Sequence, residues 1–494
     1  MKKKKRLSFS KSFVAAVMGL SLSLTVALPV LAMQVQPYTY EAYTYDAWAN
    51  VKESPSMFRV VDHIDGDNME GIPMSSADDV HYADGLIYMV DSIEARVNVF
   101  TEDFDFVSSI KLMRAEDGRI ALDDSGHQLI LVKPEGLFVD EANQELYIAD
   151  PGAQRIFILD SKTFILKNMI GKPAEMLGVT SFEPSKVTVD TAGRIYAVVQ
   201  SSYEGIIELN QDGSFSRYFG VNSPQVNLLD HFWKSIATDA QKQKMQKLFA
   251  PSFNNVTVDS EGFVFATTFD ANAIYDIFRL NGRGQNVLRE EGHILVGGDV
   301  NRFDMGETQF VDVTVTDYGV YAGLDRARGR IFLYDHDGYT LNVFNGLGNA
   351  YGQLRTPTGI SWMGDKLLVS DRTMKRIYVY DTTDFGAAAL AGSAAYHVGD
   401  WEAANTAFTE ALKHNANYDI AYVGIGKNHL MQNEYEDAMY YFEKGNSHDY
   451  YSTAYSGYRT ILLQEYFGWI FAVIVILLAV IFISEYRYHK KEEK

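Results

Sequence analysis

The 494-residue sequence contains no cysteine, and this absence excludes several kinds of chemistry. Disulfide bonds, thiolate metal sites, a cysteine nucleophile and lipid attachment to a mature N-terminal cysteine are all ruled out. Basic residues are also scarce, since 44 Lys and Arg stand against 64 Asp and Glu, for a formal net charge of −20. A chain this acidic is unsuited to binding nucleic acid or anionic lipid over a broad surface.

Common catalytic motifs are missing as well. The sequence has no G-x-S-x-G nucleophile motif, and its glycine-rich segments lack the lysine of a phosphate-binding loop. Its eleven histidines form no H-x-H or H-x3-H cluster, so a zinc lyase is poorly supported. Whether the protein is an enzyme stays open at this point, and the balance favours a protein without catalytic activity.

The first 32 residues have the pattern of a membrane-targeting segment. A basic stretch, Lys2 to Arg6, precedes an apolar stretch from Phe13 to Leu31, and small residues stand where a peptidase would cleave after Ala32. This pattern predicts a secretory signal peptide over 1–32. An uncleaved N-terminal anchor is the alternative.

A second apolar segment, 466–484, carries no charged residue and matches the ~20 residues needed to cross a bilayer. The basic residues Arg487, Lys490 and Lys491 follow it, which predicts a cytoplasmic tail over 485–494 under the positive-inside rule. The alternative, a buried helix of a soluble protein, is disfavoured by the uninterrupted length. The sequence thus predicts a single-pass protein of the cell membrane with its bulk outside the cytoplasm.

Between these segments a short motif recurs, in which an aspartate is followed five residues later by an arginine that opens an apolar run. The four complete copies are Asp91 with Arg96, Asp150 with Arg155, Asp325 with Arg330, and Asp371 with Arg376. Recurrence of one local pattern indicates a repeat architecture. We interpret these residues as structural pairs that bond within a repeat or to the next one.

Six segments of alternating apolar residues precede six strand-like runs, which predicts a mainly β, six-bladed propeller over 57–383. The six segments lie at 80–82, 137–140, 187–190, 256–259, 313–316 and 360–362. The last blade has only three strands of its own, and the stretch from Met57 to Ile64 alternates suitably to supply the fourth. Such closure leaves no long open edge.

Two segments interrupt or precede this pattern. Residues 222–252 have helical spacing and predict an insertion, which would be either a lid or docking element or a packing embellishment. The tyrosine-rich segment 33–56 would be either a stacking surface for carbohydrate or a partner, or a strand or linker packed on the propeller.

After the propeller the sequence becomes rich in alanine and helical in pattern. A motif with an aromatic residue, an alanine and a phenylalanine recurs after 34 residues, the period of tetratricopeptide (TPR) repeats. The matched residues are Trp401 with Tyr435, Ala404 with Ala438, and Phe408 with Phe442. The sequence therefore predicts a TPR-like helical neck over 384–465.

The blade from Pro134 to Ile156, with Gly136, Asp140 and Asp150 between them, resembles the NHL-repeat family most fully. The whole chain is similar to exported bacterial proteins that join an NHL propeller to TPR helices and a membrane span. Such proteins resemble companions of carbohydrate ABC transport systems. The resemblance implies a six-bladed propeller and leaves the chemistry open, because propellers host many functions.

A more distant resemblance to gluconolactonase-type propellers implies a divalent metal held near the propeller axis. Such propellers use a Glu, an Asn and an Asp at axial positions, and Asp78, Glu135 and Asn254 occupy comparable places here. Oxygen ligands alone would favour Ca²⁺ or Mg²⁺ over zinc. The alternative is that these polar residues are simply solvated near a channel mouth. Neighbouring positions add Asp79, Lys186, Asn255 and Asp312.

Together these patterns predict a membrane-anchored extracytoplasmic binding or scaffolding protein. We expect the propeller and neck to recognise a protein partner, such as a transporter subunit, or a carbohydrate, and we expect no nucleic acid partner. No cofactor is expected beyond possible Ca²⁺ on the axis. The rival hypothesis is a metal-dependent enzyme of the lactonase or lyase type that uses the axial carboxylates.

Overall fold

The structure is a computed structural model that describes residues 41–66, 73–123, 125–176, 181–200, 205–220, 252–269, 275–289, 296–299 and 308–492. By their contacts the residues form two units, Met1–Thr39 and Tyr40–Lys494, and the first lies outside the described residues. The predicted signal peptide and the predicted insertion over 222–252, apart from Ser252, also lie outside them.

Three strands precede the repeated blades. They are Ala42–Tyr45 (β1), Val51–Glu53 (β2) and Phe58–Asp65 (β3). The first blade then contains Asp79–Ala83 (β4), Leu86–Asp91 (β5), Arg96–Thr101 (β6) and Phe106–Ile110 (β7). The second contains Gly136–Asp140 (β8), Glu145–Asp150 (β9), Arg155–Asp160 (β10) and Leu166–Ile170 (β11).

The remaining blades repeat this antiparallel order. The third contains Pro184–Val189 (β12), Ile195–Val199 (β13), Ile206–Leu209 (β14) and Phe215–Phe219 (β15). The fourth has three strands within its described residues, Phe253–Val258 (β16), Val264–Thr268 (β17) and Ile277–Leu280 (β18). The fifth contains Phe310–Val315 (β19), Tyr321–Asp325 (β20), Arg330–Tyr334 (β21) and Thr340–Phe344 (β22), and the sixth Pro357–Met363 (β23), Lys366–Asp371 (β24) and Arg376–Thr382 (β25).

The ring closes through the N-terminal strand. β3 pairs antiparallel with β25, with His63 opposite Tyr378, and thereby becomes the outer strand of the sixth blade. The innermost strands contact one another in ring order, β4, β8, β12, β16, β19, β23 and back to β4. The predicted six-bladed propeller and its closure by the segment around residues 57–64 are confirmed.

The blades are held together by apolar faces that pack against each other. Between the first two blades, for example, Val90 and Val99 share a buried cluster with Val139 and Ile148. The second strand of each blade lies between two neighbours, so nearly all its residues are buried, as in β9, where only Glu145 is partly exposed. Burial on both faces explains why these strands are almost continuously apolar.

The tyrosine-rich segment forms a hairpin on the fifth blade. β1 pairs with β22, and β2 pairs with β1, so this sheet has six strands. Tyr43 and Tyr45 are buried, and both hydroxyls donate to the Asp299 carboxylate. Of the two interpretations of this segment, packing as a strand applies to its described residues 42–45, whereas Trp48 at the hairpin turn stays 60% exposed.

Five helices follow the propeller. They are Asp384–His397 (α1), Trp401–His414 (α2), Asp419–Met431 (α3), Tyr435–Lys444 (α4) and His448–Glu492 (α5). Helix α1 starts directly after β25, where the Thr383 hydroxyl caps it by accepting the Gly386 N–H at 3.1 Å. One buried apolar cluster joins Phe385 and Ala421 of the neck to Phe58 and Leu333 of the propeller. The first three helices therefore share a core with the fifth and sixth blades.

Glycines allow the neck helices to approach closely. A Cβ added at Gly392 would lie 2.6 Å from the Phe408 ring, and one added at Gly426 would lie 2.7 Å from the Phe442 ring. The rings of the two repeat phenylalanines thus fill space left by glycines on the preceding helix. This packing gives the 34-residue pattern a physical reason, and the TPR identity of the repeat stays a prediction.

Helix α5 runs from the neck into the apolar segment. Over His448–Glu485 it is long and apolar enough to cross a membrane, and none of its most apolar stretch is buried inside the protein. Large apolar side chains such as Phe482 and Trp469 are about three-quarters exposed. The helix is therefore a candidate membrane span, and its topology stays a prediction.

Candidate functional site

The four repeat aspartates all lie at the end of the second strand of a blade, fully buried, directly opposite their repeat arginines in the strand pairing. Asp150 shows their role best. Its carboxylate accepts N–H groups from Val132 at 2.7 Å, Lys133 at 2.9 Å and Ala153 at 2.9 Å. Asp371 holds Arg355, Thr356 and Met374 in the same way. Each aspartate ties the loop before its blade to the turn that follows it.

The repeat arginines do not share one partner. Arg96 pairs with Asp91 at 3.4 Å, but Arg330 pairs with Asp299 and Arg376 pairs with Asp65 at 2.7 Å. Arg155 instead contacts the Met169 sulfur at 3.3 Å. An Asp–Arg ion pair inside the repeat thus occurs in the first blade, and the three other arginines bind elsewhere.

We expect Asp150→Ala to lower the free energy of unfolding by roughly 3 kcal/mol or more, because three backbone N–H groups lose an acceptor whose side chain is fully buried. Thermal and urea unfolding measure this change. Asp160→Ala is the matched control: Asp160 also accepts three hydrogen bonds, but 24% of its side chain is exposed. Water can replace those bonds, so its loss should be about 1 kcal/mol. Equal losses would contradict the role assigned to the buried aspartate.

A charged cluster, which we name the axial cluster, occupies the centre of the ring. It comprises Asp79, Lys186, Asn255 and Asp312, which take equivalent register positions on the innermost strands of blades one, three, four and five. The other two equivalent positions are Gly136 and Gly359. A Cβ at Gly359 would lie 2.9 Å from the Asp79 Oδ1, so glycine leaves room for the charged groups.

An ion pair crosses this cluster. The Lys186 Nζ lies 2.8 Å from Asp79 Oδ1, joining blades that are not adjacent in the ring, and both side chains are largely buried. Burial alone would lower the pKa of Lys186, but the carboxylates of Asp79 and Asp312 outweigh it and raise that pKa. The lysine is therefore held in its charged form at the propeller axis.

Asp312 is the remaining charged member of the cluster. Its carboxylate accepts N–H groups from Val313 at 2.8 Å and Ile360 at 2.7 Å, and it accepts from the Asn255 amide. Burial, opposed by Lys186 and assisted by Asp79, raises the pKa of Asp312 to about 7. Burial and Lys186 lower the pKa of nearby His81 to about 4, so this imidazole is neutral at pH 7.

The three residues predicted to hold a metal have other partners. Asp78 accepts from the Arg372 Nε at 2.5 Å and from the Ser92 N–H at 2.9 Å, so both carboxylate oxygens are bonded. Glu135 is likewise bonded on both oxygens, to Lys133 at 2.5 Å and to the Gln200 amide at 2.6 Å.

Asn254 differs from these two. Its amide donates to the Phe310 carbonyl at 2.9 Å, while its Oδ1 is buried with no hydrogen-bond partner among the described residues. Among the hydrogen bonds of the described residues, none joins any two of Asp78, Glu135 and Asn254. The calcium site stays a prediction, and it would require Asp78 and Glu135 to exchange existing partners for the ion.

A cavity of about 690 Å³, which we name the junction pocket, lies where the propeller meets the neck. Its walls come from the β1–β2 hairpin, Arg289, the turn between β21 and β22, helices α1, α2 and α3, and the segment that runs from Gly445 into α5. The residues used below are Trp48, Asp335, Tyr339, Tyr396, Lys427 and Tyr450. Its volume falls within the ~300–1,000 Å³ that is usual for small-molecule sites, and apolar surface predominates.

Lys427 lines this pocket and contacts several of its other residues. Its ammonium lies 4.6 Å from the Tyr396 ring, 4.7 Å from the Tyr450 ring and 5.8 Å from the Tyr339 ring. It also lies 3.6 Å from the Asp337 carboxylate. One lysine thereby links α1, α3, α5 and the propeller through cation–π and ionic contacts.

Most charged groups of the junction pocket are already paired within the protein. Asp419 pairs with Lys52 at 2.8 Å, and the Arg289 guanidinium lies over the Tyr339 ring at 4.3 Å. Asp335 accepts the Tyr339 N–H at 2.7 Å, and burial together with Asp337 raises the pKa of Asp335 to about 7. Burial lowers the pKa of His336. Apart from Asp449, little unpaired charge in the described lining is left for a ligand.

The sequence predicts some residues of these sites and not others. The axial positions and the tyrosine-rich segment were identified from spacing and composition, but Lys427, Tyr339 and Tyr450 were not. These three come from distant parts of the chain and carry no shared local motif. Lys427 lies on the side of α3 that faces the pocket. That this side is buried there can be recognised only once the position of the propeller is known.

Comparison with known proteins finds distant structural neighbours and no relative by sequence. No family model and no curated protein matches the sequence. Among solved structures, virginiamycin B lyase from Staphylococcus aureus is 10% identical with a TM-score of 0.41, covering 66% of this chain and 100% of its own. A protein provisionally assigned as a gluconolactonase is 14% identical with a TM-score of 0.40, covering 70% and 98%. These neighbours are of propeller type, and at such values their activities do not transfer to this chain.

Proposed function

We propose that this protein is a membrane-anchored extracytoplasmic binding protein whose ligand occupies the junction pocket. The observation that carries the proposal is the pocket itself, because three parts of the chain meet there. The propeller supplies Tyr339, the neck supplies Lys427, and the first turn of the candidate membrane helix supplies Tyr450. A ligand there would contact all three at once.

The chemistry of the pocket favours an uncharged ligand. Its lining holds five aspartates against one arginine and one lysine, so an anion is disfavoured. The aromatic rings that would hold a cationic ligand are already occupied by the Lys427 ammonium. A neutral ligand with apolar faces and hydroxyl groups fits the remaining surface of the pocket.

A carbohydrate has this combination of groups. Trp48, exposed at the pocket edge, offers an apolar ring face on which a sugar ring can stack. The Asp449 carboxylate and the Ser447 hydroxyl also line the pocket, and neither side chain has a hydrogen-bond partner among the described residues. Both can bond to sugar hydroxyls. We therefore propose a neutral oligosaccharide as the ligand class.

We expect neutral oligosaccharides to bind the full-length chain in detergent, and Trp48→Ala to weaken the best binder at least tenfold, about 1.4 kcal/mol, by removing the stacking surface. Isothermal titration with a panel of glucose, xylose and N-acetylglucosamine oligomers measures this. Tyr440→Ala is the matched control, since Tyr440 is 55% exposed on α4 outside the pocket. Failure of the whole panel to bind, or equal losses in both variants, would contradict the proposal.

The same anchoring suggests a partner in the membrane. A membrane-spanning helix would place the chain beside other membrane proteins, so we propose a transporter subunit or similar membrane protein as the partner. Support would come from a specific membrane protein recovered with the detergent-solubilised chain. Recovery with the wild type and with a variant lacking 466–494 alike would show that the span is not the contact.

The rival proposal, a metal-dependent lactonase or lyase, keeps one observation in its favour. The unpartnered buried oxygen of Asn254 lies on an innermost strand, where a metal ligand would be expected. Metal analysis of the purified protein, with Asp78→Ala and Glu135→Ala as variants, tests it. Stoichiometric Ca²⁺ that is lost in both variants, together with loss of lactone hydrolysis, would favour the enzyme.

A further inference from the structure

Helices α3 and α4 bring together three side chains that have the ligand chemistry of a metal site. The ligand atoms of His429, Glu434 and Asp437 all lie within 4.8 Å of one another. Within the part of the chain that the structure describes, no other group of three or more His, Asp or Glu residues does so. We propose that these residues, named the neck cluster, bind a divalent transition-metal ion, with Zn²⁺ the foremost candidate.

The backbone fixes the relative positions of the three residues. His429 lies in the last turn of α3, Glu434 is the N-cap of α4, and Asp437 lies in the first turn of α4. The Glu434 N–H donates to the His429 carbonyl at 2.9 Å, which closes the turn between the helices. Ligands mounted on a closed turn and two helix ends need little rearrangement to bind an ion.

The imidazole is also oriented in advance. The His429 ring stacks on the Tyr441 ring at 5.2 Å with an interplanar angle of 7°. In that orientation its Nδ1 lies 2.7 Å from the Glu434 Oε2. The ring nitrogen therefore faces the carboxylates, as a metal-binding histidine must.

The charges of the neck cluster favour the binding of a cation. Glu434 and Asp437 are three residues apart and carry the same charge, and of these two carboxylates the imidazole is hydrogen-bonded to Glu434 alone. The Asp437 carboxylate has no hydrogen-bond or ion-pair partner among the described residues. A divalent ion bound to all three would replace repulsion between the two carboxylates with attraction to each.

The ligand types decide which ion fits. One imidazole nitrogen with two carboxylate oxygens suits Zn²⁺ and related transition metals, whereas Ca²⁺ and Mg²⁺ prefer oxygen ligands alone. Three protein ligands leave a position for water or for a ligand from another molecule. The site is partly exposed, because nearly half of the Glu434 side chain is accessible, so an ion can enter from solvent.

The test is isothermal titration of the full-length chain, in detergent and without a histidine tag, with Zn²⁺. We expect one site, and His429→Gln and Glu434→Gln should each weaken Zn²⁺ binding by at least about tenfold, because each removes one of only three ligands. Asp437→Asn should do the same. His414→Gln is the matched control, since His414 has a single carboxylate neighbour, Glu410, at 3.7 Å.

Two further readouts separate a metal site from a charged surface. Substituted Co²⁺ should give visible absorption bands that His429→Gln abolishes, and Ca²⁺ and Mg²⁺ should not compete with Zn²⁺. Unchanged affinity in His429→Gln, an equal loss in His414→Gln, or full competition by Ca²⁺ would each overturn the proposal. Circular dichroism of the variants, which alter partly exposed residues, verifies that each one is folded.

Discussion

Replacing Lys186 with methionine should lower the free energy of unfolding by about 3–5 kcal/mol at pH 8, because it leaves two buried carboxylates without their cation. Lys186 holds Asp79 at 2.8 Å and acts on Asp312 within the axial cluster. Methionine keeps most of the length and the apolar stem, so the loss reports on the charge. Urea unfolding of the detergent-solubilised chain measures it.

The pH dependence of this effect has a definite sign. Asp312 already has a raised pKa of about 7, so its contribution to stability is present at acidic pH and is lost as the pH rises toward 7. Lys186 opposes that rise, and without it the pKa values of Asp312 and Asp79 should increase further. We therefore expect the deficit of Lys186→Met to be clearly smaller at pH 5 than at pH 8.

Lys167→Met provides the matched control for this prediction. Lys167 lies 3.7 Å from Glu145 and 3.6 Å from Asp160, but its side chain is 35% exposed. A surface ion pair contributes little, so the change should cost less than about 1 kcal/mol and vary little with pH. A Lys186→Met deficit as small as this control, or one that grows toward pH 5, would show that the axial cluster does not stabilise the propeller as described.

Replacing Lys427 with methionine should have the second large effect. It should lower both the stability of the neck and the ligand affinity of the junction pocket. The lysine contacts three rings and the Asp337 carboxylate. Burial lowers the pKa of Lys427, but its contacts with Tyr396, Tyr450 and Asp337 outweigh this and raise that pKa, so the ammonium stays charged. With cation–π contacts of about 0.5–2 kcal/mol each, the loss should be roughly 2–4 kcal/mol.

Two measurements report the effect of Lys427→Met. Limited proteolysis should cut the α3–α5 region faster, and oligosaccharide affinity should fall at least tenfold because Tyr339 and Tyr450 lose the group that aligns them. Lys444→Met is the control, since the Lys444 ammonium lies 5.7 Å from only the Tyr440 ring on an exposed surface. If both variants lost equally little stability, Lys427 would not be the link between the propeller and α5.

The architecture could be predicted because it is encoded locally. The aspartate of each complete repeat bonds to backbone groups of its own blade, so the motif keeps the same spacing wherever the blade is intact. The alternation of β3 was sufficient to predict ring closure, because a strand with one buried face must find a sheet edge. Properties that depend on one strand, turn or helix can therefore be predicted from the sequence.

Properties that depend on contacts between distant segments could not be predicted from the sequence. Arg330 and Arg376 were expected to bond within or between repeats, but their partners, Asp299 and Asp65, lie in segments outside the motif. The ion pair between Asp79 and Lys186 crosses the ring and requires the blade count and register to be known first. The junction pocket combines a hairpin turn, a blade turn and four helices, and no sequence period connects them.

The central claim, that a ligand binds where the propeller meets the neck, is tested most directly by hydrogen–deuterium exchange of the full-length chain with and without saturating oligosaccharide. We predict slower exchange in 45–48, 336–340 and 446–450, the segments that contribute to the walls of the junction pocket, with no change around the axial residues Asp78, Glu135 and Asn254. Slower exchange confined to those axial residues, or none anywhere with the ligand bound, would contradict the account and place the site on the propeller axis or elsewhere.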